Sequence, residues 1–294
     1  MIASVVLVFF ALRAVPTIPT VQAVGDVTNA SLFTAATSGG NPIRDAVSSD
    51  LLSIAAGEYE KGRSLSHDAE KARPNFRNAA HLYDELWRRG VRDPNLALNR
   101  ANSHRLAGDL PSAIVALKEG LAAARWNRPI QAALEEARSA VAYPTHSDLA
   151  ALCRPTPSST IGTRMSPREA QVTVALLWFL VCAGIVRFAM TKIGWWLGIA
   201  GVWLVVLVGL GALWLYDDHA RARNAEHSSV VITRDVDLRK GNADIFPLRL
   251  DGPSRLPRGV EACELTSRGG WVQIQLASGI KGWVPEVFVI KVGG

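Results

Sequence analysis

The chain is poor in the residues on which most chemistry is built. It has three cysteines and six histidines in 294 residues. Cys182 lies inside a long apolar run, and Cys153 and Cys263 fall in different segments, so no disulfide framework exists. No CxxC, CxxH or HExxH spacing occurs, and the histidines are solitary. No nucleophile sits near a base in a motif, and no carboxylate pair is set in a recognisable cleft. The sequence therefore offers no catalytic residue, no metal ligand set and no cofactor-binding motif, and a cell-wall hydrolase is the enzyme class set aside on that ground.

Runs of basic charge are also missing. The formal net charge is +6, yet acids are interleaved with the bases, as in Glu58–Lys61 and Asp84–Arg89. Without a basic run carrying interleaved aromatics, nucleic acid is not an expected partner.

Long apolar runs are present. Ala170–Val186 carries no charge, and reaches Met190 if Arg187 extends along its own stem to the headgroups. Ile193–Tyr216 is a second uncharged run. About 20 apolar residues cross ~30 Å of hydrocarbon. Only Arg187–Lys192 separates the two runs, so residues 170–216 are expected to form a two-helix transmembrane hairpin.

The N-terminus reads as a secretory signal over residues 1–23. Ile2–Leu12 is apolar but too short to span, Pro16 and Pro19 break it, and Val21-Gln22-Ala23 offers small residues to a signal peptidase. No Lys or Arg precedes the apolar run, and an uncleaved anchor is the alternative. Residues 24–49, rich in Thr, Ala, Ser, Gly and Asn, read as a linker.

Residues 50–143 have helical periods. Breaks at Arg73-Pro74-Asn75, Asp93-Pro94-Asn95 and Gly108-Asp109 predict helices over Asp50–Ser64, Asn75–Arg89, Asn95–Ala107, Leu110–Ala124 and Arg128–Val141. Pro94 and Pro111 suit first turns. Gly108 can supply a positive φ, and Asp109 can cap the next helix. Ala79 and Ala113, like Tyr83 and Leu117, are one repeat of 34 residues apart, the period of tetratricopeptide (TPR) helix pairs.

Residues 144–169 carry Pro144, Pro155, Pro157 and Pro167 and read as a semi-extended linker, and 217–229 as a short polar one. Residues 230–294 read as strands. Trp271–Leu276 alternates with period two, and Gly259, Gly269-Gly270 and Gly279 mark turns.

Two resemblances attach to these segments. The run Asn99-Arg100-Ala101-Asn102, Gly108-Asp109, Ala113-Ile114 and Ala133-Leu134-Glu135-Glu136-Ala137-Arg138 resembles the TPR segment of BatE-type aerotolerance proteins. Ala101 stands where that family has Gly, and His104 where it has Tyr. Leu238-Arg239-Lys240-Gly241, Arg258-Gly259, Gly270-Trp271-Val272-Gln273-Ile274 and Gly279-Ile280-Lys281-Gly282-Trp283-Val284 resemble a bacterial SH3 barrel, with Ile245–Pro253 as an insertion. The order of signal, TPR, membrane hairpin and SH3 matches the BatE-type architecture.

That resemblance implies a multidomain fold of all-α TPR-like repeats, a two-helix transmembrane hairpin and an all-β SH3-like barrel. It implies a non-enzymatic scaffold in the bacterial inner membrane, with von Willebrand A-domain membrane proteins as partners and a MoxR-type AAA ATPase as an indirect one. The alternative is an envelope sensor or anchor whose SH3 domain binds cell-wall peptide. Candidate protein-binding residues are Asn99, Arg100, Asn102 and His104 on the repeats. Asn99 and Asn102 either bind a peptide main chain or satisfy helix ends and water. Trp271 and Trp283 either form a peptide-binding face or, for Trp283 above all, pack in the small core. Gly194, Gly198 and Gly201 form a stripe that packs against the first membrane helix, on a face with Ala175, Cys182, Val186 and Ala189, or docks a partner's helix. Counting bases alone, Arg164, Arg168, Arg221 and Arg223 outnumber Arg187 and Lys192 and favour a cytoplasmic location for both soluble domains. The signal segment favours the periplasmic side, and that side is the expectation.

Overall fold

The structure, a computed structural model, describes residues 42–143, 149–155, 167–225, 229–249 and 254–293. The signal segment over 1–23 lies outside the described residues. The chain divides into two compact units, Met1–Val47 and Ser48–Gly294, and of the described residues only 42–47 belong to the first.

Five helices open the described chain: α1 (Pro42–Ser64), α2 (Ala69–Arg88), α3 (Pro94–Leu106), α4 (Leu110–Ala123) and α5 (Arg128–Ser139). Four of the five start on the same device. The side chains of Asp68, Asp93, Asp109 and Asn127 each accept a main-chain N–H of the first turn, over 2.7–3.3 Å, satisfying donors that helix geometry leaves unpaired. Proline stands at the first or second position of α3, α4 and α5, where its missing N–H costs nothing. Gly108 turns the chain between α3 and α4 with φ +87°, a left-handed conformation that a Cβ disfavours.

The helix bounds differ from the sequence expectation at two starts. α1 begins eight residues early, inside the segment read as a linker. α2 begins at Ala69, not Asn75, and carries Pro74 inside it. The Asp68 cap sets the start, and Pro74 lies near enough to it that the chain absorbs the lost hydrogen bond. The residues of the 34-residue period are core: Ala79, Tyr83, Ala113 and Leu117 are all buried. The short helix α6 (Leu149–Cys153) breaks the expected linker, and the Leu152 carbonyl accepts the Ser278 N–H at 3.1 Å.

Two long helices follow, α7 (Pro167–Thr191) and α8 (Trp195–Ala225). Each contains a segment long and apolar enough to cross a membrane, Glu169–Thr191 and Trp195–Leu213. Most of their large side chains, such as Val172, Phe179 and Val205, are exposed, unlike those of a soluble core helix. Helix α8 runs on through the predicted polar linker to Ala225. The turn between α7 and α8 is tight, with Lys192 at φ +56°.

The C-terminal part is a five-stranded antiparallel sheet, order β6-β5-β4-β1-β7, and a two-stranded sheet β2-β3. The strands are β1 (Ser229–Ile232), β2 (Val236–Asp237), β3 (Arg255–Leu256), β4 (Glu261–Arg268), β5 (Trp271–Gln275), β6 (Lys281–Pro285) and β7 (Val289–Lys291). Val272, Ile274 and Val284 point into the core with Val230–Ile232, Leu238 and Leu256. Gly282 is required by close approach, since a Cβ there would lie 2.5 Å from the Leu238 side chain. Arg239 bridges both Trp283 and Leu248, so the predicted insertion pairs, at Leu248, with the Leu238-Arg239-Lys240-Gly241 segment.

Candidate functional site

The helical and sheet parts are packed together, which the sequence did not announce. Glu261, at the start of β4, is 5 % exposed. Its carboxylate accepts Arg138 Nε at 2.6 Å and Nη2 at 3.0 Å, and Lys118 Nζ at 2.8 Å. Lys118 also donates to the Ser229 hydroxyl. Burial alone would raise the Glu261 pKa. The hydrogen bonds from Arg138 and the charge of Lys118 more than offset that and hold it below the ordinary carboxylate range. Beside this clasp, Gly259 lies at φ +90° against α4, with Val141 3.0 Å and Ile114 3.5 Å from where a Cβ would be.

A second polar cluster lies on the other side of α4. Arg100 of α3 donates to Asp84 of α2 and to Glu119 of α4. His104, one turn on, lies 3.2 Å from Asp84 through Nε2. Burial would raise the Asp84 pKa, but His104 and Arg100 outweigh it and keep the carboxyl below its usual range. Trp87 is buried between two guanidinium groups, Arg92 at 4.4 Å and Arg100 at 5.6 Å from the ring centre. Arg92 also donates to the Trp87 carbonyl. These residues line one wall of a cleft of about 920 Å³, and Ile290–Gly293 line another.

The predicted site residues are thus divided. Arg100 and His104 come together at the cleft. Asn99 and Asn102 are half-buried on α3 and do not line it. Trp271 and Trp283 share the sheet face opposite the core, both half-buried. Trp283 is therefore not a core residue, because the alternation that buries Val284 turns its neighbour outward. Trp271 borders a groove of about 270 Å³ with Asp235, Asp237, Arg239 and Phe288.

The hairpin corrects the glycine expectation. Gly194, Gly198 and Gly201 have no neighbour within 4 Å of a notional Cβ, so the stripe does not make the contact between α7 and α8. That contact runs through Gly184, whose notional Cβ lies 3.0 Å from Ala200 Cβ, with Leu177 and Val181 buried beside it. On α7 the face of Ala175, Val186 and Ala189 is exposed. Arg187 lies 5.7 Å from the Trp196 ring.

Sequence reasoning missed Glu261, Lys118 and Trp87. Among the described residues no group of three His, Cys, Asp or Glu side chains is placed to hold a metal ion. Burial pushes the Cys153 thiol up to about 11, which leaves it protonated and unreactive at neutral pH. Compared with protein-family models, with curated proteins and with solved structures, the chain matches none.

Proposed function

We propose that this chain is a non-enzymatic, membrane-anchored scaffold of a bacterial envelope complex resembling the aerotolerance system. In this reading the paired helices are TPR-like repeats and the sheet domain is an SH3-like barrel. The partners are von Willebrand A-domain membrane proteins and, indirectly, a MoxR-type AAA ATPase. The observation that carries the reading is the Glu261–Arg138–Lys118 clasp. It makes one body of two parts that flank a membrane-length hairpin in sequence, as a presenting surface requires. The same packing favours one compartment for both parts, and the signal-like N-terminus favours the periplasmic one. Affinity purification of the full chain from membranes, followed by mass spectrometry, tests the proposal. Recovery of integral A-domain proteins supports it, and recovery of no membrane protein above background overturns it.

A second reading has the groove beside Trp271 binding cell-wall peptide. The acidic Asp235 and Asp237 next to an aromatic ring favour it. Pull-down on purified peptidoglycan separates the two, since a scaffold is not retained there.

A further inference from the structure

One wall of the large cleft is the free edge of a sheet. Among the described residues β7 is the last strand in its sheet and pairs only with β1. Val292 N–H donates to the Ser229 carbonyl at 2.8 Å, and Thr233 N–H to the Phe288 carbonyl at 2.9 Å. Antiparallel pairing alternates, so the main-chain groups of Phe288, Ile290 and Val292 face β1, while those of Val289, Lys291 and Gly293 face outward. Two of the outward donors are taken. Val289 N–H bonds the Glu286 carbonyl, and Gly293 N–H reaches Glu119 at 3.3 Å. Among the described residues the Val289 carbonyl and the N–H and carbonyl of Lys291 remain as a pairing edge.

The helical wall of the same cleft carries a cation. Arg100 is consumed by Asp84 and Glu119, and Arg88 by Glu85 at 2.9 Å. Arg92 is different. It lies over the Trp87 ring, 4.4 Å from its centre, and is hydrogen-bonded to the Trp87 carbonyl, and it forms no ion pair with a carboxylate among the described residues. A guanidinium fixed in this way keeps donors free for a planar anion. Main-chain groups from an edge strand give affinity to any extended segment, and a fixed charge selects among them.

We propose that this cleft takes an extended acidic peptide segment of a partner protein. Its main chain pairs along the free edge at Lys291, and one of its carboxylates meets Arg92. The inference rests on the scaffold reading and names the chemistry of what the scaffold holds. The occupant is acidic because Arg92 is the cleft cation that no carboxylate of the described chain neutralises.

The test uses the full chain in lipid nanodiscs, with a phage-displayed library of random peptides as the probe. Enriched peptides should share an Asp or Glu. As synthetic peptides they should bind Arg92→Glu about tenfold more weakly or worse, with Arg92→Lys recovering part of the loss. Arg92→Glu loses the contact with the Trp87 ring and the bond to its carbonyl and should melt somewhat below the wild type, so binding is compared at a temperature where circular dichroism shows every variant folded. N-methylation of each peptide nitrogen in turn should weaken binding at alternate positions, the signature of strand pairing. Peptides without a shared acid, equal binding to Arg92→Glu, indifference to N-methylation, or no enrichment over empty nanodiscs would each overturn the proposal. The scaffold reading is separated by co-purification from membranes. If wild type and Arg92→Glu recover the same A-domain proteins, the cleft assignment fails and the scaffold stands. If wild type recovers none, the scaffold reading fails as well.

Discussion

Arg138 grips Glu261 with two nitrogens, Nε at 2.6 Å and Nη2 at 3.0 Å, across 123 residues of sequence. The pair is two-pronged and largely out of water, which is the geometry in which a guanidinium and a carboxylate interact most strongly. It joins α5 to the first residue of β4. Lys118 completes it from α4, so three elements meet at one carboxylate.

Removing one side of this clasp should be costly. Arg138→Ala leaves Glu261 buried with Lys118 alone, and breaking a buried pair from one side costs about 3–5 kcal/mol. Unfolding of the full chain in detergent micelles should show a drop of that size. Arg138→Lys should recover only part of it, since an ammonium cannot reproduce the fork. A melting profile unchanged in Arg138→Ala would mean that the clasp does not hold the two parts.

The clasp should also fail in acid. The folded Glu261 pKa is depressed, so its stabilisation is complete above the unfolded glutamate value of about 4.3 and drains away as pH falls through the folded value. The stability gap between wild type and Glu261→Gln should be constant from neutral pH down to about 5 and close below about 4. Melting curves across that range read it directly. A gap that does not begin to narrow as pH falls below about 4 would show that the glutamine variant disrupts packing instead.

Much of this was legible because it is local. The Asp109 cap, Pro94 and Pro111 in first turns and the Gly108-Asp109 turn are set within four residues of the helix that they start. The hairpin was legible from length and lack of charge. The start of α2 was misread because Pro74 looks like a boundary, whereas Asp68 sets the real one six residues earlier. The extension of α8 past Tyr216 was missed because polarity was read as a linker, although Ala and Arg, which recur there, are good helix formers. The clasp could not be read at all. Glu261 opens a largely polar strand, and nothing near it in sequence reveals a partner. Arg100 and His104 were picked from a motif, but Trp87 and the β7 edge join them only in three dimensions.

Two glycines test the docking surface against simple turn strain. Gly259→Ala should destabilise by about 1–3 kcal/mol from its positive φ, with a further loss from crowding Val141. Gly269, at φ +60°, has open space around it, so Gly269→Ala should show the strain alone. Equal losses in the two variants, measured by denaturant unfolding, would mean that α4 and the sheet yield freely.

In the hairpin, Gly184→Leu should overpack against Ala200 at about 1–3 kcal/mol, and Gly198→Leu should leave the isolated protein's melting temperature in detergent unchanged. Loss of stability in Gly198→Leu and not in Gly184→Leu would reverse the assignment of the packing face.

Sidedness has a direct assay. Alkaline phosphatase fused after Gly294 should be active in an intact bacterial host. An expressed but inactive fusion would place the sheet domain in the cytoplasm.

Helix α8 has 31 residues, or about 46 Å of length, against about 30 Å of hydrocarbon. Set in a bilayer, it protrudes by roughly 15 Å as a stalk. Its last residue, Ala225, is followed by Ser229 of β1 after three residues, and β1 is hydrogen-bonded to β4 on one side and β7 on the other. β1 is flanked by the strand of the Glu261 clasp and by the cleft edge, so a twist or piston stroke of such a stalk would be delivered between the two.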